Sequence, residues 1–408
     1  MVDAGVLWPD GLGRTNQHAI ETRASGSRLP LRLTHVTLEN WRNFTRVDVD
    51  IARRSFLVGP NASGKSNFLD AIRFLRDVSS VGGGLLAAVH QRGGVSRLRS
   101  LAARQNPDVA IRVSVGRDDA ADLWRYELAF GQEGKHELII KRELVVHEGV
   151  AVVERPDTDD VADPERRTQT YLEQVNVNRP FRDLAGFFAG VRYLHLVPQL
   201  VREPDRSVGR ANDPFGGDFL EQLAGTPANT REARLRRITR ALRFAVPQLV
   251  ELKLDRDKRG TPHLVGRYEH WRPRGAWQNE TQFSDGTLRL VGLLWALLDG
   301  TSPLLLEEPE LSLHPDIVRQ IPAMFARVQR RSSRQVLVST HSSDLLRDDG
   351  VGLDEVLILR PDPEGTTIRS AAGFAEIEAL LRGGLTMADA VLPWTRPRGA
   401  EQLPLFAE

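Results

Sequence analysis

The sequence contains no cysteine. This absence excludes disulfide bonds, cysteine-ligated zinc or iron–sulfur sites and a thiol nucleophile, so catalysis would have to rest on oxygen and nitrogen groups and a hard metal ion. The sequence also has no apolar run near the ~20 residues that span a bilayer, and residues 1–30 lack the apolar core of a signal peptide. We therefore expect a cytoplasmic protein without a membrane partner.

Lysine is scarce as well. Only five of the 55 basic residues are lysine, and the formal net charge is +1. Because arginine supplies the remainder, a bias typical of GC-rich genomes, arginine clusters support nucleic-acid binding less strongly than their charge suggests. With 41% hydrophobic and 27% charged residues, the 408-residue chain has the composition of a globular protein with two or three packed units.

What the sequence does contain is an octapeptide with the spacing G-x-x-x-x-G-K-[ST]. It consists of Gly59, Pro60, Asn61, Ala62, Ser63, Gly64, Lys65 and Ser66. In this motif backbone N–H groups cradle phosphates, the lysine reaches the β- and γ-phosphates, and the serine holds Mg²⁺. A chance glycine-rich turn is the alternative. The apolar strand predicted at 55–58 and the helical apolar spacing at 67–75 favour nucleotide binding.

A second motif is an apolar strand predicted at 303–306 that ends in Glu307 and Glu308. Active sites of α/β sheets lie at the carboxyl ends of the strands. We expect Glu307 in the Mg²⁺ shell and Glu308 polarising an attacking water. The alternative is an acidic turn after a core strand.

A third buried strand, predicted at 335–339, ends in a polar cluster that contains His341. A lone histidine is more often a surface or core residue. Here the predicted strand neighbours that of Glu307, so we expect His341 within reach of a γ-phosphate.

A polar glycine turn opens the helix predicted at 286–298. It contains Ser284, Asp285, Gly286 and Arg289. A helix N-terminus can bind an anion, although by itself this turn would be an ordinary N-cap.

The order of these motifs resembles that of ATP-binding-cassette ATPases, closest to the RecF/SMC/OLD-like branch found in bacterial repair and defence loci. Residues 40–44 match the N-F-R-x-F segment of this branch, with Trp41 in place of the first Phe. The resemblance covers roughly 31–75 and 280–360. It implies ATP as substrate and Mg²⁺ as cofactor, with Arg42, Asn43 and Asn67 joining the octapeptide at the nucleotide.

The resemblance also implies a homodimer that forms on ATP binding. Two heads would then sandwich two ATP molecules, with the turn at 284–289 contacting the nucleotide of the other protomer and residues 312–316 at the seam. The fold class expected is α/β, a P-loop NTPase with an ABC-ATPase-like head. The expected units are a disordered extension or over-called start at 1–30, an N-terminal ATPase lobe with a small antiparallel β unit at 31–75, a mixed α/β lid insertion at 76–280, a C-terminal ATPase lobe at 281–392 and a flexible tail at 393–408. Within them the local patterns predict a solvated loop at 149–167, helices at 171–188 and 315–331, and a closing hairpin formed by 356–359 and 366–368.

Several features depart from the family pattern. Most cassettes have aspartate where this chain has Glu307. The turn at 284–289, which we call the signature turn, also differs from the L-S-G-G-Q sequence usual in transporter cassettes. A Q-loop is not obvious: Gln199 is the candidate metal-site residue, and a surface glutamine is the alternative. With 67 residues after His341 there is little room for the TOPRIM nuclease of OLD enzymes, so we expect any nuclease or effector to be a separate protein.

Two weaker patterns bear on partners. Residues 231–244 predict an amphipathic helix with six arginines, which would contact DNA phosphates or form a solvated face. The tail resembles the short peptides that bind the DNA sliding clamp, and docking on the protein's own surface is the alternative. The tail residues concerned are Gln402, Leu403, Leu405 and Phe406.

The resulting hypothesis is a Mg²⁺-dependent ATPase whose ATP-dependent dimerisation controls DNA engagement or a partner effector, in DNA repair or anti-phage defence. The alternatives are the ATPase subunit of an ABC transporter and a non-hydrolysing regulatory scaffold.

Overall fold

The computed structural model describes residues 30–103, 107–133, 137–203, 213–270 and 276–396. Its strands are β1 (Arg32–Trp41), β2 (Phe44–Asp50), β3 (Arg54–Val58), β4 (Val109–Gly116), β5 (Trp124–Glu133), β6 (Glu137–His147), β7 (Val150–Arg155), β8 (Arg192–Leu194), β9 (Leu249–Arg256), β10 (Pro262–Tyr268), β11 (Ala276–Asn279), β12 (Leu304–Glu307), β13 (Val336–Thr340), β14 (Val356–Asp362) and β15 (Gly365–Ser370).

The helices frame these strands. They are α1 (Lys65–Ser79), α2 (Leu85–Gln91), α3 (Val95–Leu98), α4 (Thr158–Ala162), α5 (Arg182–Gly190), α6 (Pro198–Val201), α7 (Phe219–Gly225), α8 (Ala228–Leu242), α9 (Asp285–Leu298), α10 (Pro315–Val318), α11 (Ile321–Ser332), α12 (Ala375–Arg382) and α13 (Met387–Thr395). Among the described residues, no helix has the length and apolar character needed to cross a bilayer.

The first sheet is antiparallel, in the order β2-β1-β4-β5-β6-β7. In β2 burial alternates as the sequence predicts: Val47 and Val49 are buried, and Arg46, Asp48 and Asp50 are exposed. The small N-terminal unit expected from the sequence is therefore the edge of a larger sheet that continues through β4 to β7.

The second sheet carries the nucleotide motifs, in the order β15-β14-β3-β13-β12-β8. Neighbours from β14 to β8 are parallel, and β15 closes the edge as an antiparallel hairpin, as the sequence predicted. Successive residues of β3 alternate between two cores: Leu57 packs with α1 and the first sheet, and Phe56 and Val58 pack with α9 and α11. The parallel sheet therefore divides the molecule, and both of its faces are covered.

A third sheet, β11-β10-β9, lies within the core on the α9 side. Its buried residues Leu249, Leu252 and Leu264 pack against α7 and α8. Neither this sheet nor β8 was expected from the sequence.

The chain between Gly149 and Arg167 is more ordered than its acidic composition indicates. The expected solvated loop is wrong, because this segment forms β7, α4 and a 3₁₀ turn, with Arg155 1% exposed.

Two predicted helices are shorter than expected. The helix expected at 171–188 begins only at α5, after Pro180, which lacks an N–H and crowds the preceding turn. The helix expected at 315–331 divides into α10 and α11. Pro322 cannot donate the hydrogen bond that a continuous helix requires, and it occupies the first turn of α11.

Candidate active site

Three neighbouring strands of the parallel sheet end at the same edge. Val58 of β3 lies beside Thr340 of β13, and Ser339 lies beside Glu307 of β12. Because parallel strands present their carboxyl ends together, the three motifs that follow these strands meet at one edge.

The loop after β3 can be built only with glycine at two positions. A Cβ on Gly59 would lie 2.6 Å from the carbonyl oxygen of Leu359, and Gly64 has φ of +95°. A Cβ on Gly64 would also lie 2.2 Å from Asn43 Nδ2. The loop ends at Lys65, where α1 begins and its first backbone N–H groups are free for an anion.

The Lys65 ammonium lies across the loop. It donates to the carbonyl oxygens of Gly59 (3.0 Å) and Pro60 (3.1 Å), and Nζ is 3.4 Å from His341 Nδ1. Burial lowers the pKa of Lys65 to about 8, although the carboxylates of Glu307, Glu308 and Glu310 oppose the shift. The direct hydrogen-bond partners of the ammonium are uncharged, so a bound phosphate would add a negative charge in direct contact with it.

Ser66 and Glu307 supply adjacent oxygen atoms. Ser66 Oγ donates to Glu307 Oε1, and Tyr193 OH donates to Oε2 of the same carboxylate. Hydroxyl and carboxylate oxygens fit Mg²⁺, which usually takes one or two protein ligands and completes its shell with water and phosphate. No group of three or more acidic or histidine side chains within the described residues could hold a metal by itself.

Glu308 and His341 face each other. Glu308 Oε1 is 3.2 Å from His341 Nε2, and the backbone N–H of Glu308 donates to Ser339 O (2.9 Å). Burial, with help from the charge of Lys65, lowers the pKa of His341, so the imidazole is neutral near pH 7. Because Lys65 can only donate to Nδ1, we assign the proton to Nε2, which then donates to Glu308. Lys65, His341 and Glu308 thus form one hydrogen-bonded chain.

Glu308 also has an unusual backbone, with φ of +46°. A left-handed conformation at a non-glycine residue is disfavoured, and such residues cluster at functional sites. This conformation bends the chain as it leaves β12 and turns the carboxylate toward β13.

Tyr193 was not expected from the sequence. It belongs to β8, a strand of three residues that pairs with β12 and is too short to show a period. Burial and the neighbouring Glu307 raise the pKa of Tyr193 above its ordinary range, so the phenol stays a donor. Gln199, the residue expected here, is exposed on α6, and the part of the chain that the structure describes shows no hydrogen bond from it to Glu307 or Ser66.

Asn43, Asn67 and Arg42 brace the loop from outside. Asn43 Nδ2 donates to Ser63 O (3.1 Å) and to Thr366 Oγ1 (2.8 Å), while Asn67 donates to Asn43 Oδ1 (2.7 Å). Arg42 donates to Asp70 on α1 (2.7 Å). All three also line an open cleft of about 1290 Å³ beside the loop, together with Ala62 and Arg99.

The signature turn lies at the start of α9. Ser284 caps this helix by accepting from the Thr287 N–H (3.2 Å), and Asp285 pairs with Arg202 (2.6 Å). A Cβ on Gly286 would lie 2.5 Å from Ser312 O. The turn therefore packs against the segment that follows Glu308 in the same chain.

Arg289 is half-buried on α9. Burial lowers its pKa, while Asp285, Glu308 and Glu310 of the same chain attract the guanidinium. Gln402, Leu403, Leu405 and Phe406 lie outside the described residues, as does the N-terminal extension up to residue 29.

Comparison with solved structures finds SMC heads. The fold is similar to the SMC head domain from Thermotoga maritima (TM-score 0.44, 15% identity, 83% of this chain and 98% of that one). It is also similar to an SmcHead bound to the C-winged helix domain of ScpA (0.50, 13%, 83% and 97%) and to a Smc head with an extended coiled coil derived from Pyrococcus furiosus (0.48, 12%, 86% and 100%). At these identities the likeness concerns the fold alone.

A curated protein also matches locally. Endonuclease GajA from Bacillus cereus (strain VD045) is 38% identical over 47 residues, which is 12% of this chain and 8% of the endonuclease. The chain thus spans only a small part of that relative's length.

The sequence profile of one family matches far more of the chain, from residue 54 to residue 348. This range contains the loop at Gly59, the acidic pair at Glu307 and His341. Since the match covers well over half of the chain, the protein belongs to the family of AAA-type ATPases described as "AAA domain, putative AbiEii toxin, Type IV TA system".

Proposed function

We propose that this protein binds ATP and hydrolyses it with Mg²⁺ at the edge formed by β3, β12 and β13. The observation that supports this most is the hydrogen-bonded chain from Lys65 through His341 to Glu308, beside the oxygen atoms of Ser66 and Glu307. When bound, Mg²⁺ would neutralise charge on the phosphates. Ser66 and Glu307 are the residues that would hold it.

The chain's own groups have separate roles in this proposal. Lys65 and the free N–H groups at the start of α1 bind the β- and γ-phosphates. Glu308 accepts a proton from the attacking water, and the hydrogen bond from His341 keeps its carboxylate oriented. The cleft lined by Arg42, Asn43 and Arg99 is large enough for the base and ribose.

We propose further that ATP closes a homodimer. Ser284, Asp285, Gly286 and Arg289 would then meet the nucleotide of the second protomer. The packing of Gly286 against Ser312 supports this proposal. Because of that packing, a displacement of the signature turn on dimerisation would also displace the segment that carries Glu308. Placement in the RecF/OLD branch stays a prediction.

The decisive variant is Glu308→Gln. It keeps the size and hydrogen bonding of the side chain but removes the base, so turnover should fall by at least about 10²-fold, the lower range for loss of general-base catalysis. A fluorescent ATP analogue should still bind with wild-type affinity, and sedimentation should show the dimer accumulating with ATP but not with ADP.

Lys65→Ala serves as the control that should neither bind ATP tightly nor dimerise. Wild-type turnover in Glu308→Gln would overturn the assignment of the base. Monomers under all nucleotide conditions would overturn the dimer and leave the hydrolytic site standing.

DNA is the partner we propose for the outer face of α8. The structure divides its arginines into two groups. Arg231 donates to carbonyls at the end of α7, and Arg234 pairs with Asp299 (2.8 Å) and lies over Trp295, so both hold the helix in place. The exposed arginines are Arg236, Arg237, Arg240 and Arg243. Only the first of these lies near a carboxylate, Glu232 at 3.7 Å, and the others are free in the described part of the chain.

This face can be tested against a matched pair elsewhere. Arg240→Glu with Arg243→Glu should weaken ATP-dependent DNA binding and reduce the slope of log K against log salt by about 2, since each lost phosphate contact removes roughly 0.9. Arg330→Glu with Arg331→Glu, at the exposed end of α11, makes the same charge change and should leave the slope unchanged. An equal loss of DNA affinity in both double variants would show that only the net charge matters, and it would overturn the proposed role of α8.

We propose that the output of the ATPase is control of DNA engagement or of a separate nuclease or effector, in repair or defence. The local match to an endonuclease supports this direction. Co-purification of the tagged protein with a nuclease in ATP, lost in ADP, would support the effector, and recovery of a membrane permease instead would favour the transporter alternative. The sliding-clamp tail at 402–406 stays a prediction.

A further inference from the structure

Glu310 lies two residues beyond Glu308 and has no role in the mechanism above. Its side chain is buried, and Oε1 accepts from Thr340 Oγ1 (2.5 Å) and from the backbone N–H of His341 (3.2 Å). Thr340 Oγ1 in turn accepts from the Ser342 N–H (2.9 Å). The ladder between β12 and β13 stops at Glu307 and Ser339. Glu310 therefore joins the two chain segments beyond the point where the strands stop doing so.

The chemistry of this position is unfavourable for simple packing. Burial raises the pKa of Glu310, and Oε2 is buried without a hydrogen-bond partner among the described residues. An apolar side chain would avoid the penalty of the unpaired oxygen. An apolar side chain could not, however, accept the hydrogen bonds from the Thr340 hydroxyl and the His341 N–H.

The ring of His341 depends on that backbone. It must lie between Lys65, 3.4 Å from Nδ1, and Glu308, 3.2 Å from Nε2. Both contacts are near the limit of hydrogen bonding, so a small displacement of residue 341 would break one of them.

We propose that Glu310 is a positioning residue for hydrolysis, which holds His341 between Lys65 and Glu308 by fixing the turn after β13. This inference rests on the hydrolytic site proposed above. The same segment carries Ser312, whose carbonyl oxygen packs against Gly286, so Glu310 also lies between the signature turn and His341.

A double-mutant cycle tests the proposal. Glu310→Ala should lower kcat by about 10²-fold, the loss expected when a catalytic group is displaced by ~1 Å, with the affinity for an ATP analogue unchanged. In a His341→Ala background the same substitution should lower kcat by less than about threefold, because residues that act as a unit are not additive. Single-turnover hydrolysis of labelled ATP would measure all four proteins.

Glu310→Gln is the conservative variant. Its amide oxygen can accept both hydrogen bonds, so kcat should stay within about threefold of wild type, while the NH₂ group at the unpaired position should lower Tm. A loss of kcat as large as that of Glu310→Ala would overturn the acceptor role. Equal losses from Glu310→Ala with and without His341 would overturn the action through His341.

If Glu310→Ala does not fold, Thr340 carries the same test. Thr340→Val removes the hydroxyl and should lower kcat, whereas Thr340→Ser keeps it and should restore kcat; equal rates in both would overturn the proposal. Absence of hydrolysis in the wild-type protein would overturn the proposed function itself, which separates the two failures.

Discussion

Two regions of this protein bury charged side chains, and they do so differently. In the first sheet Arg155 is 1% exposed, between Glu143 and Asp160. It donates to Glu143 (2.9 Å), twice to Asp160 (2.9 and 2.8 Å), and to the carbonyl oxygens of Arg166 and Gln169. We call Glu143, Arg155 and Asp160 the ionic cluster. Among the described residues, every polar side-chain atom of this cluster has a hydrogen-bond partner.

The edge of the parallel sheet leaves groups unmatched. The buried atoms without a hydrogen-bond partner in the described chain include Ser63 Oγ, Ser339 Oγ, Glu310 Oε2 and Arg289 Nε. Folded proteins pair nearly all buried polar groups, so a cluster of exceptions calls for an explanation. The comparison shows that the two regions differ in whether their buried polar groups are paired, rather than in charge or burial.

The largest expected effect is in the ionic cluster. Glu143→Ala leaves Arg155 partly unpaired and removes the acceptor of the Tyr171 and Leu172 N–H groups, so the free energy of unfolding should fall by about 3–5 kcal/mol. Urea denaturation would measure it, with Glu154→Ala, an exposed partner of Arg142, as the control that changes it by about 1 kcal/mol or less. Unchanged stability with lost ATP hydrolysis would break the comparison.

Lys65→Met should show the opposite pattern. Affinity for ATP should fall by about 10²-fold, as expected for loss of a strong charged contact, while stability is retained or rises because a buried charge has been removed. Isothermal titration and thermal unfolding would measure the two quantities. Lys258→Met, at an exposed lysine, should change neither ATP affinity nor stability. If Lys65→Met lost as much stability as Glu143→Ala, the proposed difference between the two regions would be wrong.

Tyr193→Phe tests a buried hydrogen bond at the edge of the parallel sheet and should have a smaller effect than the two variants above. Removal of the donor to Glu307 should raise the Mg²⁺ concentration needed for half-maximal hydrolysis by about tenfold, the lower end for residues that orient metal ligands. Stability should change little. A Mg²⁺ dependence like that of wild type would show that Tyr193 only packs against β12.

The smallest effect expected is the pH dependence due to Lys65. Its pKa is lowered on folding to about 8, so between that value and the ordinary value of 10.5 the unfolded chain binds more protons than the folded one. The stability of the nucleotide-free protein should therefore rise with pH across this window, by under about 1 kcal/mol up to pH 9 after solvent screening. The measurement is the difference between wild type and Lys65→Met in chelator-treated protein. A difference that is flat or falls with pH would contradict the lowered pKa.

Much of the parallel sheet could be predicted because its signals are local. The loop at Gly59, the strand before Glu307 and the strand before His341 each carry their motif in consecutive residues, and the structure brings them to one edge. The helix at α9 and the hairpin of β14 and β15 were predicted for the same reason.

The prediction for the segment at 149–167 was wrong because burial of its polar residues depends on strand pairing. Arg155 of β7 lies opposite Glu143 of β6 and against the ring of Tyr171, and composition does not record which side chains such a pairing brings together. Tyr193 was missed likewise: it reaches Glu307 across 114 residues of sequence, from a strand of three residues. Glu310 was visible as a residue of the acidic segment, but its acceptor role depends on Thr340.

By itself, the sequence determined that this protein has a phosphate loop, an acidic pair and a histidine at the ends of buried strands, because backbone geometry and strand period are local properties. Only the tertiary structure decided which side chains share a hydrogen bond there. The hydrogen bonds from Lys65 to His341, from Tyr193 to Glu307 and from Glu310 to Thr340 join α1, β8 and the ends of β12 and β13, which are separate in the sequence. The register of those strands is set by the packing of both cores.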